Sequence, residues 1–239
     1  MSTLFISDLH LEDSRAETLE WLMALLDGPA RDAEALYILG DLFEFWIGDD
    51  ALPACARQLA GATRKLADGG LPLFFMHGNR DFLLGQEYAA MAGFRLLPES
   101  VVTDLYGTPT LLLHGDSLCT DDTEYQAFRL QARNPAWQAA VLARSVVERL
   151  AMARSARDAS TQHTGSVSME IMDVNDEAVR AAFREHGVSR MIHGHTHRPA
   201  MHDYDLGEPG GAQRIVLADW YGAGSYLDVS AAGARSRDI

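Results

Sequence analysis

Five short apolar runs punctuate the chain, and each stops at a cluster of polar residues. The runs are Leu4-Phe5-Ile6, Ala35-Leu36-Tyr37-Ile38-Leu39, Leu73-Phe74-Phe75-Met76, Thr110-Leu111-Leu112-Leu113 and Arg190-Met191-Ile192. Continuous apolar stretches this short, bounded by turn residues, fit buried strands. Between the first three runs the spacing changes. Leu19, Leu22, Met23 and Leu26 recur at helical intervals within Glu17 to Leu26. Pro53 to Ala67 and Glu87 to Ala92 also read as helices, the former closed by Gly69-Gly70. Strand–helix alternation over residues 1–120 predicts a parallel or mixed sheet with helices packed against it.

From about Thr123 to Ser168 the pattern is different. Ala-rich helical sequence runs from Glu124 to Arg157, broken near Asn134-Pro135, and a polar stretch from Asp158 to Ser168 follows. Trp137, Val141, Leu142, Val146, Val147 and Leu150 spread over more than one helical face. Arg129, Arg133, Arg144, Arg149, Arg154 and Arg157 stand against Glu124, Glu148 and Asp158, a local excess of three positive charges. The block reads as an inserted helical cap, basic and partly apolar, over the site that the strand ends build. A helix from Asp176 to His186 follows, and strand-like runs at Arg214 to Ala218 and Ser225 to Val229 are expected to complete a second sheet.

Composition narrows the class. With 239 residues, 47% hydrophobic and 23% charged, the chain can bury a sizeable core as one domain or a domain with an insertion. A formal charge of −14 argues against broad nucleic-acid binding, which relies on clustered Lys and Arg. Cys55 and Cys119 do not make a disulfide framework and read as free thiols of a reducing, cytoplasmic compartment. Asp8 arrives too early for a signal-peptide core, and no stretch approaches the ~20 apolar residues that span a bilayer.

The polar clusters carry the chemistry. In order they are Asp8-Leu9-His10, Gly40-Asp41, Gly78-Asn79-Arg80-Asp81, His114-Gly115-Asp116 and His193-Gly194-His195-Thr196-His197. Ends of separate strands converge in a sheet, so these side chains can share one centre. Asp8 and His10, like His195 and His197, are two apart and would share a side of extended backbone. Nitrogen and oxygen donors without a thiolate suit Mn²⁺, Fe or Zn²⁺. His163, His186 and His202 stand alone and read as ordinary histidines.

This ordered series resembles the calcineurin-like metallophosphoesterases, whose motifs are D-x-H, GD, GN, a histidine-bearing turn and GHxH. The resemblance implies an α/β (α+β) fold, a two-sheet sandwich flanked by helices, as a single domain with the insert at 123–168. It implies two metals, the first held by Asp8, His10, Asp41 and His197. The second would be held by Asp41, Asn79, His114 and His195, with Asp41 bridging. One position departs from many members, which carry a histidine after Gly-Asn able to protonate a leaving group. Arg80 stands there; always charged, it can bind phosphate oxygens but not act as an acid. A leaving group that needs no proton, such as a phosphate released from a pyrophosphate, follows.

Longer stretches narrow the resemblance. Gly40 to Asp50, His77 to Phe82, Leu118 to Asp122, Glu170 to Asn175 and His193 to Pro199 are similar to the UDP-2,3-diacylglucosamine diphosphatases. That family implies attack of a two-metal-activated water on the α-phosphorus, giving UMP and 2,3-diacylglucosamine 1-phosphate for lipid A biosynthesis, with two Mn²⁺ per subunit. Asp41, Asn79, Arg80, His114 and His195 would be catalytic. Asn79, Arg80, Asp122, Ser160, Thr164, Val167 and His195 would contact substrate, although the family often has lysine where Val167 stands. Arg157 would add a cation, and Trp137, Val141 and Leu150 an apolar groove for acyl chains. A bilayer-resident substrate implies peripheral attachment at the cytoplasmic side of the inner membrane through the basic, apolar insert. Two alternatives stand: another two-metal phosphoesterase acting on soluble nucleotides or phosphodiesters, and a non-catalytic protein-binding scaffold of the same fold.

Overall fold

The computed structural model describes residues 2–166, 173–207 and 210–239, with backbone alone at 160–166. In chain order the first half holds β1 (Thr3–Ile6), α1 (Ala16–Asp27), β2 (Ala35–Leu39), α2 (Ala54–Asp68), β3 (Leu73–Met76), α3 (Gln86–Ala92), β4 (Phe94–Leu96), β5 (Ser100–Leu105) and β6 (Thr108–Leu113). Helices α4 (Thr123–Ala132), α5 (Pro135–Leu142), α6 (Val146–Ser166) and α7 (Asp176–His186) follow. The chain closes with β7 (Arg190–His193), β8 (Ala200–Tyr204), β9 (Ala212–Val216), β10 (Ser225–Ser230) and β11 (Gly233–Asp238).

Two mixed sheets result, ordered β11-β10-β1-β2-β3-β4 and β5-β6-β7-β9-β8. Side-chain alternation in the central strands explains why they form layers. Leu4 and Ile6, Leu36 and Ile38, and Leu73 and Phe75 point into a core shared with Leu22, Leu25 and Leu26 of α1, Leu59 of α2 and Tyr88 of α3. Phe5, Tyr37, Leu39 and Met76, on the opposite face, join a second core with Leu111, Met191 and Ile215 of the other sheet. That second core is the interior of the sandwich. Consecutive Leu111, Leu112 and Leu113 are all buried, and Val179 and Phe183 of α7 belong to the same core. A strand covered on both faces reads as an unbroken apolar run, which is how β6 stands out in the sequence.

One sequence expectation needs correction. The run expected at Arg214 to Ala218 does belong to the second sheet, where β9 (Ala212–Val216) lies beside β7. The run beginning at Ser225 instead pairs antiparallel with β1, placing β10 in the first sheet. Leu227 and Val229 thereby extend the sandwich core beside Phe5. Strand character was legible there, but the choice of sheet depends on long-range pairing that local pattern does not encode.

Helices α4 to α6 intervene between β6 and β7, and the break at Asn134-Pro135 is a restart. The Asn134 carboxamide oxygen accepts from the Ala136 and Trp137 amides at 2.9 and 3.3 Å, and Pro135 takes the first helical position. Among the described residues no helix is long and apolar enough to cross a membrane.

Candidate metal centre

Every central strand that ends in a polar cluster delivers it to one rim of the sandwich. Asp8 and His10 follow β1, Asp41 follows β2, Asn79 and Arg80 follow β3, His114 follows β6, and His195 and His197 follow β7. The turns are tied by backbone bonds: Asp8 N–H to Gly40 O at 3.1 Å, His10 N–H to Asp41 O at 3.0 Å, and Gly194 N–H to His114 O at 2.8 Å. The last of these joins the two β6 and β7 turns of the second sheet.

Donor atoms converge accordingly. His10 Nε2 faces His197 Nε2 at 3.2 Å, and His197 Nε2 lies 3.4 Å from Asp8 Oδ1. Asn79 Oδ1 lies 2.9 Å from His114 Nε2 and 2.8 Å from His195 Nδ1. Asp41 Oδ1 is 3.7 Å from His114 Nε2. Two groups could each hold a cation with donor atoms within 4.8 Å of one another: Asp8, His10 and His197, and Asp8, Asp41 and His114. Asp8 is common to both, so the choice of Asp41 as the bridge rests on the family resemblance.

The convergence does not come from extended backbone, as the i, i+2 spacing suggested. Six non-glycine residues among those described have left-handed φ, and five are Asp8 (57°), His10 (51°), Asp41 (50°), His195 (69°) and His197 (54°). The chain curls at each strand end and turns the side chains inward. Such backbone is costly and is found concentrated at functional sites. Gly194 is required beside it, because a Cβ there would stand 2.1 Å from Asp8 Oδ2.

These residues fit a pair of cations. Asp8 and Asp41 are buried carboxylates, and Asp8 Oδ1 has no hydrogen-bond donor although Oδ2 takes the Ser7 hydroxyl at 2.6 Å and the His195 amide at 2.9 Å. A bare buried carboxylate oxygen is what a cation satisfies. Burial alone would raise the Asp8 pKa, but the His197 contact and the charges of the neighbouring histidines hold it well below the usual carboxylate range. Burial, reinforced by His114, lowers His195 to about 4, leaving it neutral with a lone pair at neutral pH. His114 Nδ1 lies 2.8 Å from the Leu39 carbonyl, which can only accept, so Nδ1 carries a proton and Nε2 is the ring atom turned to the site.

Arg80 also comes to this rim, its amide donating to Asp41 Oδ1 at 2.9 Å and its Nε 3.5 Å from Asp41 Oδ2. Its guanidinium opens onto a cavity of about 500 Å³ whose walls include Asn79, Phe82, Tyr125, Trp137 and Val141. Leu150 does not line it. Asp122 is not on its wall either; it caps α4, accepting from the Tyr125 amide at 2.9 Å. Ser160 and Thr164 have no described side chains, and Val167 lies outside the described residues.

The positive island of the insert faces inward. Arg129 reaches Asp116 and Glu99 at 2.8 Å each, Arg133 reaches Glu99 at 3.1 Å, Arg149 pairs with Asp50, and Arg157 pairs with Glu44. Only Arg144 and Arg154 of the six are exposed. Acids far away in sequence neutralise charge that a local count leaves in excess.

The fold and this geometry stand beside known proteins as follows. The model of the calcineurin-like phosphoesterase family matches residues 1–199. This chain belongs to that family. Its fold implies a dinuclear metal site, for which the candidate ligands are present. A UDP-2,3-diacylglucosamine hydrolase of Stenotrophomonas maltophilia (strain K279a) is 50% identical over 98% of this chain and 96% of its own. A UDP-2,3-diacylglucosamine hydrolase of Xanthomonas axonopodis pv. citri (strain 306) is 50% identical over 100% of this chain and 99% of its own. An archaeal phosphodiesterase structure matches with a TM-score of 0.48 and 10% identity over the whole of both chains.

Several groups of this phosphoesterase rim were not singled out from sequence. Asp116, in the His114-Gly115-Asp116 cluster but assigned to neither metal, accepts from the Tyr125 hydroxyl at 2.9 Å and from the Arg129 guanidinium, fastening α4 to the β6 turn. Tyr125 in turn stacks on His195, with ring centroids 5.9 Å apart. Tyr221 stacks on His10 at 5.2 Å. Asp219 lies 3.8 Å from His197 Nδ1. Asp81 accepts from the Leu42 and Gly78 amides at 2.7 and 2.8 Å, locking the β2 and β3 turns together. Membership of the polar clusters was the local signal for Asp81 and Asp116, without a role attached; the tyrosines had none.

Proposed function

We propose that this phosphoesterase hydrolyses the pyrophosphate of UDP-2,3-diacylglucosamine, by attack of water on the α-phosphorus, to UMP and 2,3-diacylglucosamine 1-phosphate. The observation that carries this reading is the cavity, whose wall combines Asn79, Arg80 and Arg157 with the apolar Phe82, Phe128, Trp137, Val141 and Met152. A doubly acylated sugar nucleotide calls for both kinds of lining. The full-length likeness to hydrolases named for this substrate supports the assignment.

Asp8, His10, Asp41 and His197 would hold one Mn²⁺, and Asp41, Asn79, His114 and His195 the other. Bound there, the pair supplies Lewis acidity and a water of lowered pKa. The chain's own residues do the rest. Arg80 binds the phosphoryl oxygens bidentately and stabilises the charge that develops on them. His195, kept neutral by burial, offers its lone pair rather than a positive charge. Helices α4 to α6 cap the site and shield the acyl chains from water. Arg80 cannot protonate a leaving group, and a departing phosphate does not require it.

Chelated protein should be inert and regain turnover of UDP-2,3-diacylglucosamine on Mn²⁺ addition. UDP-glucose and bis-p-nitrophenyl phosphate should be turned over far more slowly. Equal or faster hydrolysis of those soluble compounds defeats the lipid assignment.

We further propose peripheral attachment at the cytoplasmic side of the inner membrane through the outer face of the cap. Exposed Leu130, Leu142, Val146 and Val147 of the cap helices support this, as do the exposed Arg144 and Arg154 of the same insert. Leu130→Asp with Val147→Asp should reduce flotation with anionic liposomes, and undiminished flotation rejects this face.

A further inference from the structure

Glu44, in the loop after β2, lies where three parts of the site meet. One carboxylate oxygen, Oε2, is 3.4 Å from His10 Nδ1. The other, Oε1, takes Arg80 Nη1 at 3.0 Å and also pairs with Arg157 Nε. His10 comes from the β1 turn, Arg80 from the β3 turn and Arg157 from α6, so one side chain touches elements from three regions of the chain. Its position is itself fixed, because the Glu44 amide donates to Leu11 O at 3.0 Å and Phe43 bridges to Leu11.

We infer that Glu44 is a positioning residue that orients His10 toward the cation site and holds the Arg80 and Arg157 guanidiniums together on the wall of the cavity. His10 Nε2 faces His197, which leaves Nδ1 pointing away from the cluster. That nitrogen is buried and has no hydrogen-bond partner of ordinary geometry, Glu44 Oε2 lying a few tenths of an ångström too far. A carboxylate beside Nδ1 favours the tautomer protonated there and makes Nε2 a better ligand for a cation. On the other oxygen, two guanidiniums repel each other unless an anion lies between them. Glu44 is that anion before substrate arrives. It therefore keeps Arg80 and Arg157 aimed at one place and links α6, which covers the site, to a metal ligand beneath it.

The inference rests on the dinuclear reading of the site, and its test separates the two. Mn²⁺ binding to the metal-stripped full chain is titrated by the EPR signal of the free ion, which needs no substrate. KM and kcat for UDP-2,3-diacylglucosamine are measured alongside. Glu44→Gln should weaken one of two Mn²⁺ sites ~10–100-fold, the range for losing a carboxylate behind a ligating histidine. Arg157→Ala should leave Mn²⁺ binding unchanged and raise KM. The KM effects of the two changes should fall well short of multiplying in the double variant, since each breaks the same contact. Glu44→Asp, which keeps the charge on a shorter arm, should recover part of both losses. Mn²⁺ affinity in Glu44→Gln within twofold of wild type overturns the inference, as do KM effects that multiply or an Asp variant no better than Gln. A wild-type chain that binds no Mn²⁺ overturns the metal reading and this inference with it.

Discussion

One added methyl group should disable the site without removing any ligand. At Gly194, a Cβ would stand 2.1 Å from Asp8 Oδ2, 2.2 Å from Ser7 Oγ and 2.8 Å from Ser7 Cβ. Ordinary contact begins at 3.4 Å, so Gly194→Ala must push the Asp8 carboxylate or its own turn aside by roughly an ångström. Ser7 cannot yield easily, because it is fully buried and its hydroxyl already binds Asp8 Oδ2 at 2.6 Å. Asp8 is common to both candidate cation groups, and its Oδ2 also accepts the His195 amide. Its displacement therefore disturbs both at once. A misplacement of about 1 Å in a reacting constellation costs ~10²-fold in rate. Overpacking a dense interior costs about 1–3 kcal/mol, or roughly 2–12 °C in Tm for a chain of this size. The control is Gly61→Ala in α2, where a Cβ meets nothing within 4 Å and the helix should gain ~0.5–1 kcal/mol. Turnover of UDP-2,3-diacylglucosamine and thermal melting, run on both variants, give the answer. Gly194→Ala with more than half of wild-type turnover would refute the argument that Asp8 is packed to its limit.

Asp41→Ala should lower turnover to below a few per cent, because the carboxylate lies beside both His114 and Arg80; a larger residue of activity contradicts its proposed place between two cations. Arg80→Ala should reduce kcat/KM ~10²-fold or more, the range for a preorganised charge at a reacting group, and a near wild-type value rejects the phosphate contact. Burial raises both Cys55 and Cys119 to about 12, helped by Asp13 and Asp116 respectively. A raised thiol pKa means protonated, unreactive sulfur at pH 8, so iodoacetamide should leave the folded chain unmodified by intact mass and alkylate both cysteines in urea. Rapid labelling of the native protein contradicts that burial.

How far the sequence reached depended on burial and on range. Strands β1, β2, β3, β6 and β7 announce themselves because both of their faces are covered, which leaves continuous apolar runs such as Leu111-Leu112-Leu113. Strands β5, β8 and β11 lie at sheet edges, and Gly233–Asp238 carries no apolar pattern at all. The ligand series was legible because each member directly follows a strand. What it could not convey was the backbone at those positions, where left-handed residues replace the extended geometry that the spacing suggested. Glu44 stood inside a recognised stretch and still gave no hint of its partners, since Arg80 and Arg157 lie 36 and 113 positions further along. The insert illustrates the same limit. Its arginines could be counted, yet Asp50, Glu99 and Asp116, which neutralise three of them, belong to the other side of the contact.

The left-handed ligands also bear on why the site uses these residue types. Outside glycine, that backbone is tolerated best by Asn, Asp and His, whose side chains are short or planar near the backbone. Asp8, His10, Asp41, His195 and His197 all come from that small set, and all are candidate donors. Donor chemistry and backbone preference therefore select the same side chains at a strand end that must curl. Each such residue costs on the order of 1 kcal/mol or more, and regular structure around it must hold it there. The β1 turn meets that requirement through bonds on both sides: Asp8 N–H reaches Gly40 O at 3.1 Å, and Asp8 O accepts from Trp220 N–H at 3.1 Å. Trp220 is itself fully buried in the outer core. The curl at Asp8 is thus anchored by packing in the core that α1, α2 and α3 share, which connects the stability of that layer to the geometry of a candidate cation site.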